Sequence, residues 1–271
     1  MQTHIQPPGK FSLSFKELWQ YRELFYFFTW RDIKIRYKQT SLGLLWAMLQ
    51  PLGLMLIFTF LFARTWPIAT GNIPYPLFVV AGLLCWNLFN SAVSNAGESI
   101  LKNAAIINKI YFPRLIIPGS AVLVAFFDFL VGLFLFAALA VYYGYPVQIS
   151  VVLFIPAATL LTLVAAAGLG TFLAALNIRY RDFRYTVPFG LQLLFFSSQV
   201  IYPLASVQPA WVRYVLALNP VNAAVELFRA PLAGNAVDVT VVGIGLGVSL
   251  LLFVAGVFYF KKTEAIFADL A

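Results

Sequence analysis

The chain has 271 residues, 62% of them hydrophobic and only 10% charged, with a mean hydropathy of +0.87. Soluble domains carry about 25% charged residues, so an ordinary soluble enzyme and a disordered chain are both excluded, and Cys85 as the sole cysteine excludes a disulfide scaffold. A net charge of +8 beside long, unbroken apolar runs points to an all-α polytopic membrane protein; an outer-membrane barrel would need short alternating strands instead.

Residues 1–40 read as a structured cytoplasmic N-terminus rather than a tail. Ser14-Phe15-Lys16-Glu17 has the spacing of a capping box. Beyond it, Leu18, Trp19, Phe25, Tyr26, Phe28 and Trp30 interleave with Arg22, Arg31, Lys34 and Arg36. That mixture suits an amphipathic interfacial helix in the headgroup layer, either a plain anchor or one that also touches a cytoplasmic partner. No cleavable signal peptide is visible, so the first span acts as the membrane-insertion signal.

A crossing helix needs about 20 apolar residues, and six segments within residues 41–260 meet that need: Leu42–Phe62, Tyr75–Val93, Leu115–Tyr143, Ile149–Leu176, Tyr185–Leu204 and Val239–Phe260. In the first, Met55, Phe58 and Phe62 form an apolar stripe. Between the second and third lies a loop at about 96–114, where Gly97 to Ile110 reads as a short helix with apolar and basic faces. It is either merely interfacial or the knob that a soluble motor grips. Asp128 is the one acid deep within a span. Charging it at mid-membrane costs on the order of 3 kcal/mol, so it is expected to have a hydrogen-bonding partner or to be protonated; no second intramembrane carboxylate, Lys or His stands by to relay a proton.

The fifth segment carries Phe189, Gln192, Phe196, Gln199 and Tyr202 at three- and four-residue steps, the spacing of one helical face. Amides are poorly placed against lipid, so this face is read either as helix–helix contact or as the lining for a polar passenger such as a sugar. At 203–238, two helices too short to cross flank Asn219-Pro220, with Asn219 as N-cap and Pro220 at the first helical position. They read as an outer re-entrant pair. In the last span Gly243 and Gly247 have the small-xxx-small spacing of close helix packing, and residues 261–271 form a cytoplasmic C-terminal tail.

Lys and Arg set the orientation, because basic loops stay inside. Of the 18, 15 fall on the side of the N-terminus, the 96–114 loop, the 179–184 loop and the C-terminus, leaving Arg64, Arg213 and Arg229 opposite. Both termini are thus expected in the cytoplasm, with the basic excess directed at anionic lipid rather than nucleic acid. His4 is the only histidine, which argues against a His-based metal or catalytic cluster, and no G-x-x-x-x-G-K-[ST] loop occurs to cradle ATP.

The stretch Trp30 to Lys38, followed by Ser41-Leu42-Gly43-Leu44-Leu45-Trp46 and Gln50-Pro51, resembles the membrane subunits of type-2 ABC exporters. So do Ile107 to Arg114, Asn177 to Asp182, and the outer Asn219-Pro220, Arg229 and Gly234. Within that family it is similar to the polysaccharide branch, which moves O antigens, capsules and teichoic acids. The resemblance implies a homodimer in the bacterial inner membrane, working in lipopolysaccharide biosynthesis or a related export route with two copies of a separate ATP-binding cassette protein. ATP and Mg would sit on that partner, and this chain would bind no cofactor and no metal. A lipid-linked glycan would pass a channel lined by Met55, Phe58, Phe62, Phe189, Gln192, Phe196, Gln199 and Tyr202, while Lys102, Asn103, Ile106, Asn108 and Lys109 would couple to the ATPase. The competing readings are the same architecture exporting a drug or small lipid, an ion-coupled secondary transporter acting through Asp128, and a membrane-embedded enzyme.

Overall fold

The computed structural model describes residues 15–38, 40, 42–65, 72–107, 109–146, 148–180, 182–264 and 267. Every regular element among them is helical: α1 (Phe15–Gln20), α2 (Arg22–Lys38), α3 (Leu45–Thr65), α4 (Tyr75–Lys102), α5 (Ala104–Ile107), α6 (Ile116–Tyr142), α7 (Ile149–Arg179), α8 (Phe183–Phe196), α9 (Ala210–Leu216), α10 (Pro220–Ala233) and α11 (Val239–Thr263), with one 3-10 turn at Leu204–Ser206. Ser14, the first residue of the expected capping box, lies outside the described residues.

Five helices, α3, α4, α6, α7 and α11, are long and apolar enough to cross a membrane. They match five of the six expected segments to within a few residues at most ends, although α4 runs nine residues beyond the expected end at Val93. The fifth segment departs from expectation. Its helix, α8, stops at Phe196 after 14 residues, a rise of about 21 Å against the roughly 30 Å of a hydrocarbon core. From Ser197 to Pro203 the chain is irregular.

The bundle is organised around α4, which packs against α3, α6, α7, α8 and α10. Its most apolar stretch is 78% buried, whereas that of α3 is 11% buried, so α3 stands at the edge. Close approach of α7 and α11 depends on glycine: a Cβ at Gly256 would lie 2.0 Å from the Gly168 carbonyl oxygen. The expected packing pair, Gly243 and Gly247, faces open space, and the glycine of that region that meets a neighbour is Gly245, against Ala223. The face of α11 that packs is therefore the one between the two glycines picked out by spacing.

The basic loops gather at one end of the bundle with α5, and α9 and α10 lie at the far end. At the basic end, α2 packs against the side of α6: Phe25 covers Gly119, Phe28 meets Phe112, and Tyr37 reaches Phe127. Phe25, Phe28 and Phe112 join Ile100, Ile107, Phe260 and Phe267 in a second apolar cluster beneath the main core.

Candidate functional site

At the basic end, the segment joining α4 to α6 is held from two directions. Asn103 caps α4, donating its side-chain amide to Ser99 O at 2.8 Å, and it accepts from Arg31 Nη2 at 2.8 Å. Arg31 is itself fixed by Asp32 at 2.8 Å and lies over the Phe28 ring. At the other side of the joint, the Arg114 N–H donates to the Glu264 carboxylate at 3.2 Å and its guanidinium donates to the Glu264 carbonyl, while Lys261 pairs with the same carboxylate at 2.8 Å. The N-terminal helix and the end of α11 thus brace opposite ends of one short connector.

The connector is not the single short helix expected over Gly97 to Ile110. Its first half continues α4 to Lys102, Asn103 breaks the rod, and α5 supplies one turn. Of the five residues expected to couple to a motor, Lys102 and Lys109 are exposed, Ile106 is half-buried and Asn103 is buried; Asn108 lies outside the described residues. Lys102 pairs with Glu98 at 2.8 Å. Asn103 faces inward, buried within the joint it holds. Ile110 and Tyr111, 61% and 70% exposed, form the protruding apolar tip, beside a shallow 240 Å³ groove shared with Lys109 and Arg114. Neither was singled out from sequence, although an Ile-Tyr pair beside Lys109 is the signal that would have found them.

The expected channel residues divide into three groups. Met55 is buried, and Phe58 and Phe62 lie beside each other with Phe58 stacked on Phe195 at 6.3 Å. Phe195, which sequence reasoning did not select, is what joins α3 to α8, and it also meets Trp86 at 5.2 Å. Phe189, Gln192 and Phe196 do share one face of α8, and with Tyr185 they are exposed along it. Gln199 and Tyr202 do not continue that face, because the helix has ended. Tyr202 is half-buried and donates to Phe196 O at 3.2 Å.

Gln199 instead belongs to a buried polar knot at the far end. Its backbone N–H donates to the Asn222 side chain at 2.6 Å, its side-chain amide donates to Asn222 O at 2.6 Å, and its side-chain oxygen accepts from Leu204 N at 3.2 Å. Asn222 also donates to Ser197 O and Leu216 O, and Asn219 donates to Leu194 O. As expected, Asn219 caps α10, accepting from Val221 N at 3.1 Å with Pro220 behind it. Arg229, 5% exposed, completes the knot by donating to Gln199 O, to Val200 O at 2.7 Å and to Phe78 O at 2.6 Å, with its guanidinium 3.5 Å from the Phe78 ring centre. Main-chain carbonyls freed by the end of α8 are thereby satisfied by side chains 25 to 30 residues downstream, which is what unwound backbone inside an apolar bundle requires.

Asp128 has the partner expected of it, supplied by the N-terminal helix. Its two carboxylate oxygens accept from the Arg36 guanidinium and the Tyr37 hydroxyl. Burial first, and then the carboxylate beside it, push the Tyr37 hydroxyl well above the usual phenol range. The phenol therefore stays protonated and donating at neutral pH. Among the described residues, no group of three His, Cys, Asp or Glu side chains is placed to hold a metal ion.

Comparison with known proteins bears on what this arrangement serves. A family model described as ABC-2 type transporter matches residues 23–233. The chain is 35% identical over 217 residues to the O-antigen export system permease protein RfbA of Myxococcus xanthus, covering 79% of this chain and 82% of that one. It is 28% identical over 240 residues to the Klebsiella pneumoniae protein of the same name, covering 89% and 92%. It is also 28% identical over 207 residues to the polysialic acid transport protein KpsM of Escherichia coli, covering 73% and 77%.

Proposed function

The chain belongs to the ABC-2 type transporter family, and from that premise we propose that it is the channel-forming permease of an ATP-driven exporter of lipid-linked polysaccharide. The cargo is of the O-antigen, capsule or teichoic acid kind; among the relatives, the printed names mention O-antigen export and polysialic acid transport. The membrane crossed is the bacterial cytoplasmic membrane, with the basic end and both termini inside. Six passes result if α8 and the irregular chain after it cross together, α9 and α10 then forming a re-entrant pair on the outer side.

The observation that carries the reading is the face of α8 bearing Tyr185, Phe189, Gln192 and Phe196, which the protomer leaves uncovered. An amide among flat rings offers hydrogen bonds and C–H contacts, each weak enough to let a hydroxylated polymer slide. Two copies of the chain would enclose this face, together with the edge helix α3. Energy would come from two copies of an ATP-binding protein that holds ATP and Mg and docks under α5. Its closure would push on the Ile110-Tyr111 tip and reach α2 and α11 through Arg31–Asn103 and Arg114–Glu264. A long polar chain cannot cross hydrocarbon unaided, since each unpaired polar group costs several kcal/mol.

The test is polysaccharide-dependent ATP hydrolysis by the assembled complex. Tyr111→Ala should weaken association with the ATP-binding protein about tenfold, as for an exposed aromatic anchor, and lower the coupled rate with it. Hydrolysis that answers to small amphiphiles and ignores polysaccharide would overturn the substrate assignment.

A further inference from the structure

A cavity of about 220 Å³ lies among the α2–α3 connection, the first turns of α3, the middle of α4 and α6. It is set apart from the stripe on α8, and its walls are polar to a degree unusual between apolar helices. Asp128 and Arg36 form one side, Asn87 and Ser91 of α4 another, and Gln50 and the ring of Trp46 the α3 side. Asp128 sits twelve residues into α6 and Asn87 twelve into α4, so the cavity is flanked by membrane-spanning helix on both sides.

The side chains of Gln50, Asn87 and Ser91 make no hydrogen bond to any described residue. Filling this space with acyl chain would strand two amides and a hydroxyl, each at a cost of roughly 1–3 kcal/mol. The occupant must therefore carry hydrogen-bonding groups. Arg36 and Asp128 cancel each other's charge, so the cavity does not select an anion. The volume is several times the about 30 Å³ share of one water molecule and has room for a single sugar ring. The wall composition matches such a ring closely. A carboxylate with unused lone pairs accepts from hydroxyls, planar amides donate and accept at once, and the Trp46 indole, 53% exposed, offers a flat apolar surface to the C–H face.

We propose that this cavity binds one neutral sugar residue of the transported polysaccharide, as an inner-leaflet docking site at the foot of α3. The proposal rests on the permease reading above. Because α3 is the least buried of the long helices, it can move away from α4 and α6 to admit the ring. Occupation then ties α3 to α4 and, through Asp128 and Arg36, to the N-terminal helix.

The experiment uses the complete complex, permease plus ATP-binding partner, in lipid vesicles. Cys85→Ala with Ser91→Cys places a single reporter thiol in the cavity, and its labelling by a small water-soluble thiosulfonate is timed. The probe is free polysaccharide released by mild acid from the source cells; glycerophosphoethanolamine serves as a lipid-headgroup arm. Labelling should proceed without probe and slow when polysaccharide is added. Trp46→Ala, a change at an exposed position, and Asn87→Ala should each raise the half-protecting concentration about fivefold, the worth of one hydrogen bond or ring contact, and Trp46→Phe should restore it. Labelling that polysaccharide does not slow would identify a water-filled crevice and overturn the proposal, as would a thiol that never reacts. Protection by glycerophosphoethanolamine alone would reassign the cavity to a phospholipid headgroup. Export of polysaccharide by the unmodified complex is followed in parallel: if it is absent the permease reading fails, whereas export without protection sinks the cavity assignment alone.

Discussion

Asp128 and Arg229 are both charged groups placed among apolar helices, and they are satisfied in opposite ways. Asp128 is met by Arg36 and Tyr37, which arrive from a separate helix more than 90 positions upstream. Arg229 is met by three backbone carbonyls and a ring, and none of these hydrogen bonds goes to a carboxylate. The first arrangement joins two elements by side chains alone, so it can open without unfolding either. The second neutralises the frayed end of α8, and losing it would leave buried carbonyls with nothing to accept from. The basic end is therefore built as a joint, the far end as a fixed plug.

The largest expected effect is on the plug. Arg229→Met should cost about 3–5 kcal/mol, because a buried polar network loses one member and keeps the others stranded. Thermal unfolding in detergent would measure it, and a loss below about 1 kcal/mol would break the distinction. Arg229→Lys should rescue only in part, since an ammonium lacks the planar fork that reaches three carbonyls. Next comes Gly82→Ala, whose added Cβ would fall 2.3 Å from Arg229 Nη2 and 3.0 Å from the Val200 backbone. Displacing that guanidinium should cost about 1–3 kcal/mol by the same assay.

The smallest effects belong to the joint. Arg36 is partly exposed, so Asp128→Asn should cost only about 1 kcal/mol. A double-mutant cycle with Arg36→Gln should return a coupling of about 0.5–1 kcal/mol.

Legibility in the sequence tracks the range of the interactions. Apolar length alone located α3, α4, α6, α7 and α11, and local backbone chemistry placed the Asn219 cap with Pro220 behind it. The end of α8 was not legible, because nothing near Phe196 stops a helix. The stop is imposed by Asn219, Asn222 and Arg229, whose side chains collect carbonyls from a segment distant in sequence. For the same reason Gln199 extends a helical stripe in the sequence while its amide is committed to Asn222. Asp128 announced that it needed a partner, but not which one, since proximity to Arg36 and Tyr37 depends on how α2 docks against α6. Glycine spacing in α11 likewise selected the wrong face, because whether a missing side chain matters is decided by the helix opposite. In the candidate site, Lys102 and Lys109 were legible as exposed cations, while the buried orientation of Asn103 comes from its cap geometry and from Arg31.

The most direct test of the central claim, that this chain is a gate driven by another protein, is uptake of lipid-linked polysaccharide into inside-out vesicles containing the permease with or without its ATP-binding partner. Polysaccharide should accumulate in the lumen only when partner and ATP are both present. Accumulation against a gradient by vesicles holding this chain alone would contradict it.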